Sequence, residues 1–376
     1  MLTSDFDYHL PQELIAQNPI EPRDHSRLLV INRQTKAVEH QHFFDIVNYF
    51  KAGDVLVWNN SKVFKARLHG KILLDEETDN LEKTTGDKSL YSDIIRNAPV
   101  VEIFLVRPME NRGVWKVLAK PGKKLRLGMK VVFAEDFVCE VVAKELDGTV
   151  LVQFSDEDMM VREKANKYGE VPLPPYVEKS QSSEQTSKEN NYQTVYAKHE
   201  GSVAAPTAGF HFTTELIEKL KNKGVEFAEV TLHVGLGTFL PVKSDKVEEH
   251  QMHSEWAELT DKNVDIINQA KAEGRRVIAV GTTTVRTLEG IAKLQNVQKN
   301  NAHLYAFSGD LNIFITPGFE FKIIDALITN FHLPKSTLIM LISAFMGDRE
   351  FTLECYKKAV EEKYRFYSFG DAMLIV

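Results

Sequence analysis

Three short stretches bring small residues, glycine or proline, and a histidine together where a hydrophobic run gives way to polar residues. They are Ala204-Ala205-Pro206-Thr207-Ala208-Gly209-Phe210-His211-Phe212, Leu232-His233-Val234-Gly235-Leu236-Gly237-Thr238-Phe239 and Thr329-Asn330-Phe331-His332-Leu333-Pro334. Loops that leave a buried strand in this way are where α/β proteins bind ligands. An imidazole titrates near neutral pH, so His211, His233 and His332 are the candidate acid–base groups. Pro206, Thr207, Ala208 and Gly209 let a backbone approach a ligand closely and leave N–H groups for a carboxylate or a purine edge. The same string reads equally as a tight turn before a helix. Gly235 and Gly237, followed by Thr238, form a lone Gly-x-Gly with no third glycine, which argues against a dinucleotide fingerprint and an oxidoreductase.

Gly281, Thr282 and Thr283 end a hydrophobic run and open a helical pattern, where free N–H groups and the helix dipole favour an anion. Arg286, in that first turn, can clamp the same anion bidentately, or else sit in a structural ion pair. Three strand-end histidines suit zinc in principle, but no His-x-x-x-His spacing or carboxylate cluster supports it, so no metal is expected. His250 and His253 flank Met252 in a loop, and the remaining histidines read as surface residues.

The elements that must hold these groups divide the chain. At 376 residues two domains are expected. Short runs rich in β-branched and aromatic residues, separated by turns such as Pro121-Gly122, fill 100–154 and predict a small antiparallel β-barrel beginning near Ala66. From Glu200 the pattern alternates strand and helix. Thr213 or Thr214, Thr260 and Ser336 are placed to cap helices that Gly224, Gly274 and Gly347 end. The expected fold is therefore α/β: a discontinuous large domain, 1–65 with 156–376, built on a mostly parallel sheet, with a barrel inserted at 66–155. An acidic insertion at 74–97 and a polar loop at 178–191 read as irregular.

A net charge of −7 argues against nucleic-acid binding only as an average. From Arg107 to Lys130 there are eight Lys or Arg and one acid, Glu110. Lys116, Lys120, Lys123, Lys124 and Arg126 are the candidate contacts to an RNA backbone, because a local patch decides phosphate binding. The alternative is a solvated barrel face. Cys139 and Cys355 are expected as buried thiols in a reducing cytoplasm. The longest apolar run, Leu338 to Met346, is nine residues, half of what a membrane span needs.

Further strings run the length of the chain. They include Asp5-Phe6-Asp7-Tyr8, Leu10-Pro11-Gln12-Glu13-Leu14, Arg23-Asp24-His25-Ser26-Arg27-Leu28-Leu29 and Val171-Pro172-Leu173-Pro174-Pro175-Tyr176. Later ones are His250-Gln251-Met252-His253-Ser254-Glu255, Gly281-Thr282-Thr283-Thr284-Val285-Arg286-Thr287-Leu288-Glu289 and Tyr364-Arg365-Phe366-Tyr367-Ser368-Phe369-Gly370-Asp371. With the three histidine strings, they make the chain closely similar to the S-adenosylmethionine:tRNA ribosyltransferase-isomerases of queuosine biosynthesis. Two departures stand out: Asn59-Asn60-Ser61-Lys62 replaces the usual Asn-Asp-Thr-Arg, and Leu240 stands where arginine is frequent.

The resemblance implies transfer of the ribosyl group of S-adenosylmethionine to 7-aminomethyl-7-deazaguanine at the tRNA wobble position. Epoxyqueuosine-tRNA forms, and adenine and methionine leave. S-adenosylmethionine would be a consumed substrate, with no cofactor, and the protein a cytoplasmic monomer. A base must take a proton from the ribose 5′ carbon, and adenine must be protonated to leave. The Gly281–Thr283 turn and Arg286 would take the methionine carboxylate or a tRNA phosphate, and Tyr8, Tyr176, Phe210, Phe212, Phe239 and Phe331 are candidates to stack on a splayed base. A tRNA-binding protein without activity and an S-adenosylmethionine-dependent RNA methyltransferase are the alternatives. The second needs a glycine-rich turn after a first strand and an acidic residue after the next, a pair the sequence does not offer.

Overall fold

A computed structural model describes residues 1–73, 97–146, 148–177, 191–235, 244–250, 252, 254–299 and 302–376. The chain forms two compact units, Met1–Lys62 with Leu173–Val376, and Val63–Pro172. Its first strands are β1 (Arg27–Ile31), β2 (Val38–His42), β3 (Val55–Asn59) and β4 (Ser61–Val63). The second unit holds β5 (Arg67–Leu73), β6 (Val100–Pro108), β7 (Val114–Lys120), β8 (Lys130–Ala134), β9 (Phe137–Lys144), β10 (Val150–Phe154) and helix α1 (Asp158–Tyr168). The chain then returns to the first unit through β11 (His199–Ser202), α2 (Thr214–Asn222), β12 (Glu226–Leu232), β13 (Glu255–Leu259) and α3 (Asp261–Ala272). Last come β14 (Val277–Val280), α4 (Thr282–Leu294), β15 (Phe307–Leu311), β16 (Ala326–Asn330), α5 (Thr337–Met346), α6 (Arg349–Glu361) and β17 (Ala372–Ile375).

The large unit is built on one nine-stranded sheet in the order β15-β13-β12-β3-β14-β16-β17-β1-β2. Its centre, β12-β3-β14-β16, is parallel, as the alternating strand–helix pattern predicts. The flanks are mixed: β13, β15 and β2 pair antiparallel, and β17 runs against β16 but with β1. β3, β14, β16 and β17 are buried at every residue, which is why they read as unbroken apolar runs. Their alternate residues feed two cores. Val55, Val57, Val277 and Ala279 pack on one face of the sheet, Leu56, Trp58, Ile278 and Val280 on the other. Each valine, leucine or isoleucine among them contributes about 1.5–3 kcal/mol.

The caps are local chemistry. Thr213 Oγ1 accepts from Leu216 N at 3.2 Å to start α2. Ser336 Oγ accepts from Ile339 N to start α5, and Gly347, at φ 71°, ends it. Thr260 precedes α3, but its Oγ1 accepts no helix N–H; the hydroxyl takes the Asn263 side-chain amide instead. The apolar run at 338–346 is a buried helix within this core, and no helix among the described residues is long and apolar enough to cross a membrane.

The second unit is a closed antiparallel barrel in the order β10-β7-β6-β5-β8-β9. It extends past the boundary at 155 read from the sequence, because α1 folds back on it. Val161 and Ala165 of α1 are buried, and Trp115 Nε1 donates to Asp158 Oδ1 at 3.0 Å. Arg67 and Glu170 then exchange backbone hydrogen bonds at 3.2 and 2.9 Å. Cys139 in β9 and Cys355 in α6 are free and buried, and burial pushes the Cys355 thiol up to about 12. The 74–96 and 178–190 stretches of the expected insertions lie outside the described residues.

Candidate active site

The carboxyl ends of the parallel strands gather the sequence's candidate residues at one edge of the large sheet. Asn330 ends β16, Gly281 follows β14, and Val234 lies just beyond β12. Because β17 is antiparallel to β16, the turn before it reaches the same edge. There a cleft of about 130 Å³ opens between these ends. Its walls are Ala204–Ala208, Gly281–Thr283, Thr329–Leu333 and Tyr367–Ser368, closed by Tyr176, Tyr192 and the start of α5. This is where an open α/β sheet places its ligand.

Backbone geometry explains the small residues. Gly281 adopts φ 83°, a left-handed value glycine alone takes without strain, and from it α4 starts with Thr282 and Thr283 on the cleft. Thr284 Oγ1 donates to the Val280 carbonyl and Thr287 Oγ1 to the Thr283 carbonyl. Thr283 Oγ1, by contrast, is shut from solvent and has no partner among the described residues. Pro206, Thr207 and Ala208 all line the cleft. Gly209 does not: a Cβ there would lie 2.0 Å from the Tyr196 hydroxyl, so its small size serves packing.

The three histidines part company. His332 lines the cleft, and its Nε2 lies 2.8 Å from Thr329 Oγ1. Its backbone is held by two phenols, since its carbonyl accepts from Tyr8 Oη and its N–H donates to Tyr356 Oη at 3.3 Å. Burial lowers its pKa to about 3, so the ring is neutral at physiological pH. His211 is buried behind the wall, between Ser26 Oγ at 2.7 Å and Asn330 Nδ2 at 3.0 Å. The Asn330 amide also donates to the Tyr367 carbonyl and its Oδ1 accepts from Thr207 Oγ1, which fixes its orientation. His211 Nε2 is therefore the acceptor, and Nδ1–H donates to Ser26. Burial, with Arg365 and Arg23 nearby, lowers the His211 pKa to about 3 as well. His233 stacks on Trp256 at 5.1 Å and packs on Gly201, where a Cβ would meet its ring at 2.6 Å.

Arg286 is turned away from the cleft wall. Its Nη1 lies 2.7 Å from Glu255 Oε2, both side chains under a tenth exposed, and Glu255 Oε1 accepts the Gly235 N–H. Gly237, Thr238, Phe239, Leu240 and His253 lie outside the described residues. Asn59 and Asn60 are structural. Asn59 bonds the Leu232 backbone in both directions, and Asn60 Nδ2 donates to Glu229 Oε2 at 3.1 Å. A carboxylate at position 60 would face Glu229, so the amide suits this chain. Lys62 is exposed.

The cleft also uses residues to which pattern reading assigned no role: Tyr192, Tyr367 and Ser368, and Thr329 and Asn330 of the third histidine string. Tyr176 stacks on Tyr367 at 4.4 Å and its hydroxyl bonds Ser368 Oγ at 2.6 Å. Of the proposed stacking residues Tyr176 and Phe331 line the cleft, whereas Phe212 is buried against Phe43 and Trp58. No group of three or more His, Cys, Asp or Glu among the described residues could hold a metal ion. In the barrel unit Lys120, Lys123, Lys124 and Arg126 are exposed along the end of β7 and the turn after it. Lys116 is instead paired with Glu145 at 2.6 Å.

The queuosine biosynthesis protein family matches residues 3–375. A Thermotoga petrophila protein named S-adenosylmethionine:tRNA ribosyltransferase-isomerase is 48% identical over 377 residues, covering both chains completely. A Staphylococcus aureus protein of the same name is 46% identical over 376 residues, again end to end. The crystal structure of S-adenosylmethionine tRNA ribosyltransferase from Thermotoga maritima covers 99% of this chain and all of its own, at 38% identity and a TM-score of 0.54. Matched along nearly its whole length, the chain belongs to the queuosine biosynthesis protein family.

Proposed function

We propose that this protein is an S-adenosylmethionine:tRNA ribosyltransferase-isomerase that joins the ribosyl group of S-adenosylmethionine to 7-aminomethyl-7-deazaguanine at the tRNA wobble position. Epoxyqueuosine-tRNA is the product, and adenine and methionine are released. The observation that carries this reading is the cleft itself, with aromatic and small residues for a nucleoside and one neutral histidine, His332, on its wall. The sulfonium acidifies the ribose 5′ carbon, and neutral His332 takes the proton there. The imidazolium so formed then passes that proton to departing adenine. His211 acts at one remove, orienting the Asn330 amide that fixes Thr207. Lys120, Lys123, Lys124 and Arg126 hold tRNA phosphates.

The test is to incubate the protein with S-adenosylmethionine and tRNA carrying the deazaguanine amine. Free adenine in proportion to modified tRNA supports the transferase. S-adenosylhomocysteine would mean a methyltransferase, and binding without either product would mean an inactive tRNA-binding protein.

A further inference from the structure

Tyr367 stands out among the cleft residues on two independent counts. Its φ is 70°, a left-handed value that a bulky aromatic residue rarely adopts and that strains the backbone. The backbone is held there on three sides. Tyr367 N–H donates to the Phe331 carbonyl at 3.2 Å, and its carbonyl accepts from Gly370 N at 3.0 Å and Asn330 Nδ2 at 3.2 Å. This strained residue is only 6% exposed and forms part of the cleft wall, its ring fixed by the stack on Tyr176.

The second count concerns its hydroxyl, which is shut from solvent and has no hydrogen-bond partner among the described residues. Three neighbouring phenols are engaged: Tyr8 with the His332 carbonyl, Tyr356 with the His332 N–H, Tyr176 with Ser368. A buried hydroxyl left without a partner destabilises the unliganded protein. Strain and an unmet donor at one residue mark a group held ready for something that enters the cleft.

We propose that the Tyr367 hydroxyl donates a hydrogen bond to an acceptor on the adenosine half of S-adenosylmethionine, an inference that rests on the transferase reading of the cleft. Burial, reinforced by Tyr176, raises the phenol's pKa, so it stays protonated and serves as a donor, not as a base. Stacked rings with Phe331, Leu333 and Leu338 beside them suit a purine and ribose better than a charged amino-acid tail.

Calorimetric titration of wild type and Tyr367→Phe with S-adenosylmethionine and with 5′-methylthioadenosine, which lacks the amino-acid tail, tests it. The variant should bind both ligands about tenfold more weakly. Without ligand it should melt at the wild-type temperature or above, because an unmet hydroxyl has been removed. Wild-type affinity of the variant for both ligands overturns the inference and leaves the transferase reading standing. Weakening toward S-adenosylmethionine alone overturns it too, by placing the contact on the methionine half. A lower melting temperature without ligand means the hydroxyl is structural, which also overturns it. If wild type binds neither ligand, it is the transferase reading that fails.

Discussion

The two edges of the large sheet are finished in opposite ways. At the amino ends of the parallel strands the charges are matched. Arg276 pairs bidentately with Asp54, whose other hydrogen bond comes from Lys51 N; Lys271 pairs with Asp325, which also takes the Val277 N–H; Arg275 reaches Glu226, Glu273 and the Gly53 carbonyl. At the carboxyl ends the groups that face the cleft are uncharged and partly unmet: Thr283 Oγ1 and Tyr367 Oη lack partners among the described residues, and His332 and, behind it, His211 are held neutral. One edge satisfies itself. The other leaves its polar groups waiting, as a surface that must exchange protein hydrogen bonds for ligand ones has to.

The sharpest way to break this contrast is at the matched edge. Asp54→Ala should strip the buried partner from Arg276 and cost about 3–5 kcal/mol in urea unfolding, with S-adenosylmethionine affinity of the folded protein unchanged. A loss below about 1 kcal/mol, or a parallel loss of ligand affinity, would mean the edges do not divide the work.

Acid should strike the cleft edge next. The folded pKa of His211 lies near 3, below its ordinary 6.5, so its contribution is complete above pH 6.5 and is lost as pH falls toward 3. Stability should fall by a few kcal/mol across that window, and the fall should be smaller in His211→Gln. An identical pH dependence in the variant would show that His211 does not titrate as its burial implies.

In the transferase assay His332→Gln should lower turnover about a hundredfold with little change in melting, whereas His233→Ala should stay within a few-fold. The reverse pattern would move the chemistry from the cleft wall to the Trp256 stack. The smallest effect belongs to the barrel unit. Lys123→Glu with Lys124→Glu should weaken tRNA binding several-fold and flatten its log–log salt slope by about two. S-adenosylmethionine affinity measured without tRNA should not move.

What could be read from the residues was whatever local chemistry decides. Thr213, Ser336 and Gly347 are caps because of hydrogen bonds within a few residues, and Gly281 is a glycine because its own φ demands it. Thr282, Thr283 and His332 reached the cleft wall for a related reason: each lies just past a strand end, where the chain's direction fixes its place, while Thr207 and Ala208 came with a tight turn. Side-chain direction was not legible in that way. His211, His233 and Arg286 are oriented by Ser26, Trp256 and Glu255, partners 185, 23 and 31 positions away in the sequence, and no string announces such a pairing. Tyr367 was invisible as a site residue because neither its strain nor its unmet hydroxyl is written in its type.

The placement of β17 carries a consequence for how the protein comes into being. The latest of the described strands lies inside the sheet, between β16 and the earliest strand, β1, which it pairs from Leu28↔Ala372 to Ile31↔Ile375. During vectorial synthesis the β1–β2 hairpin must wait for more than three hundred further residues before its neighbour exists. The barrel, whose strands are contiguous in sequence, has no such delay. A ribosome stalled before residue 372 would therefore expose two raw strand edges, β1 and β16.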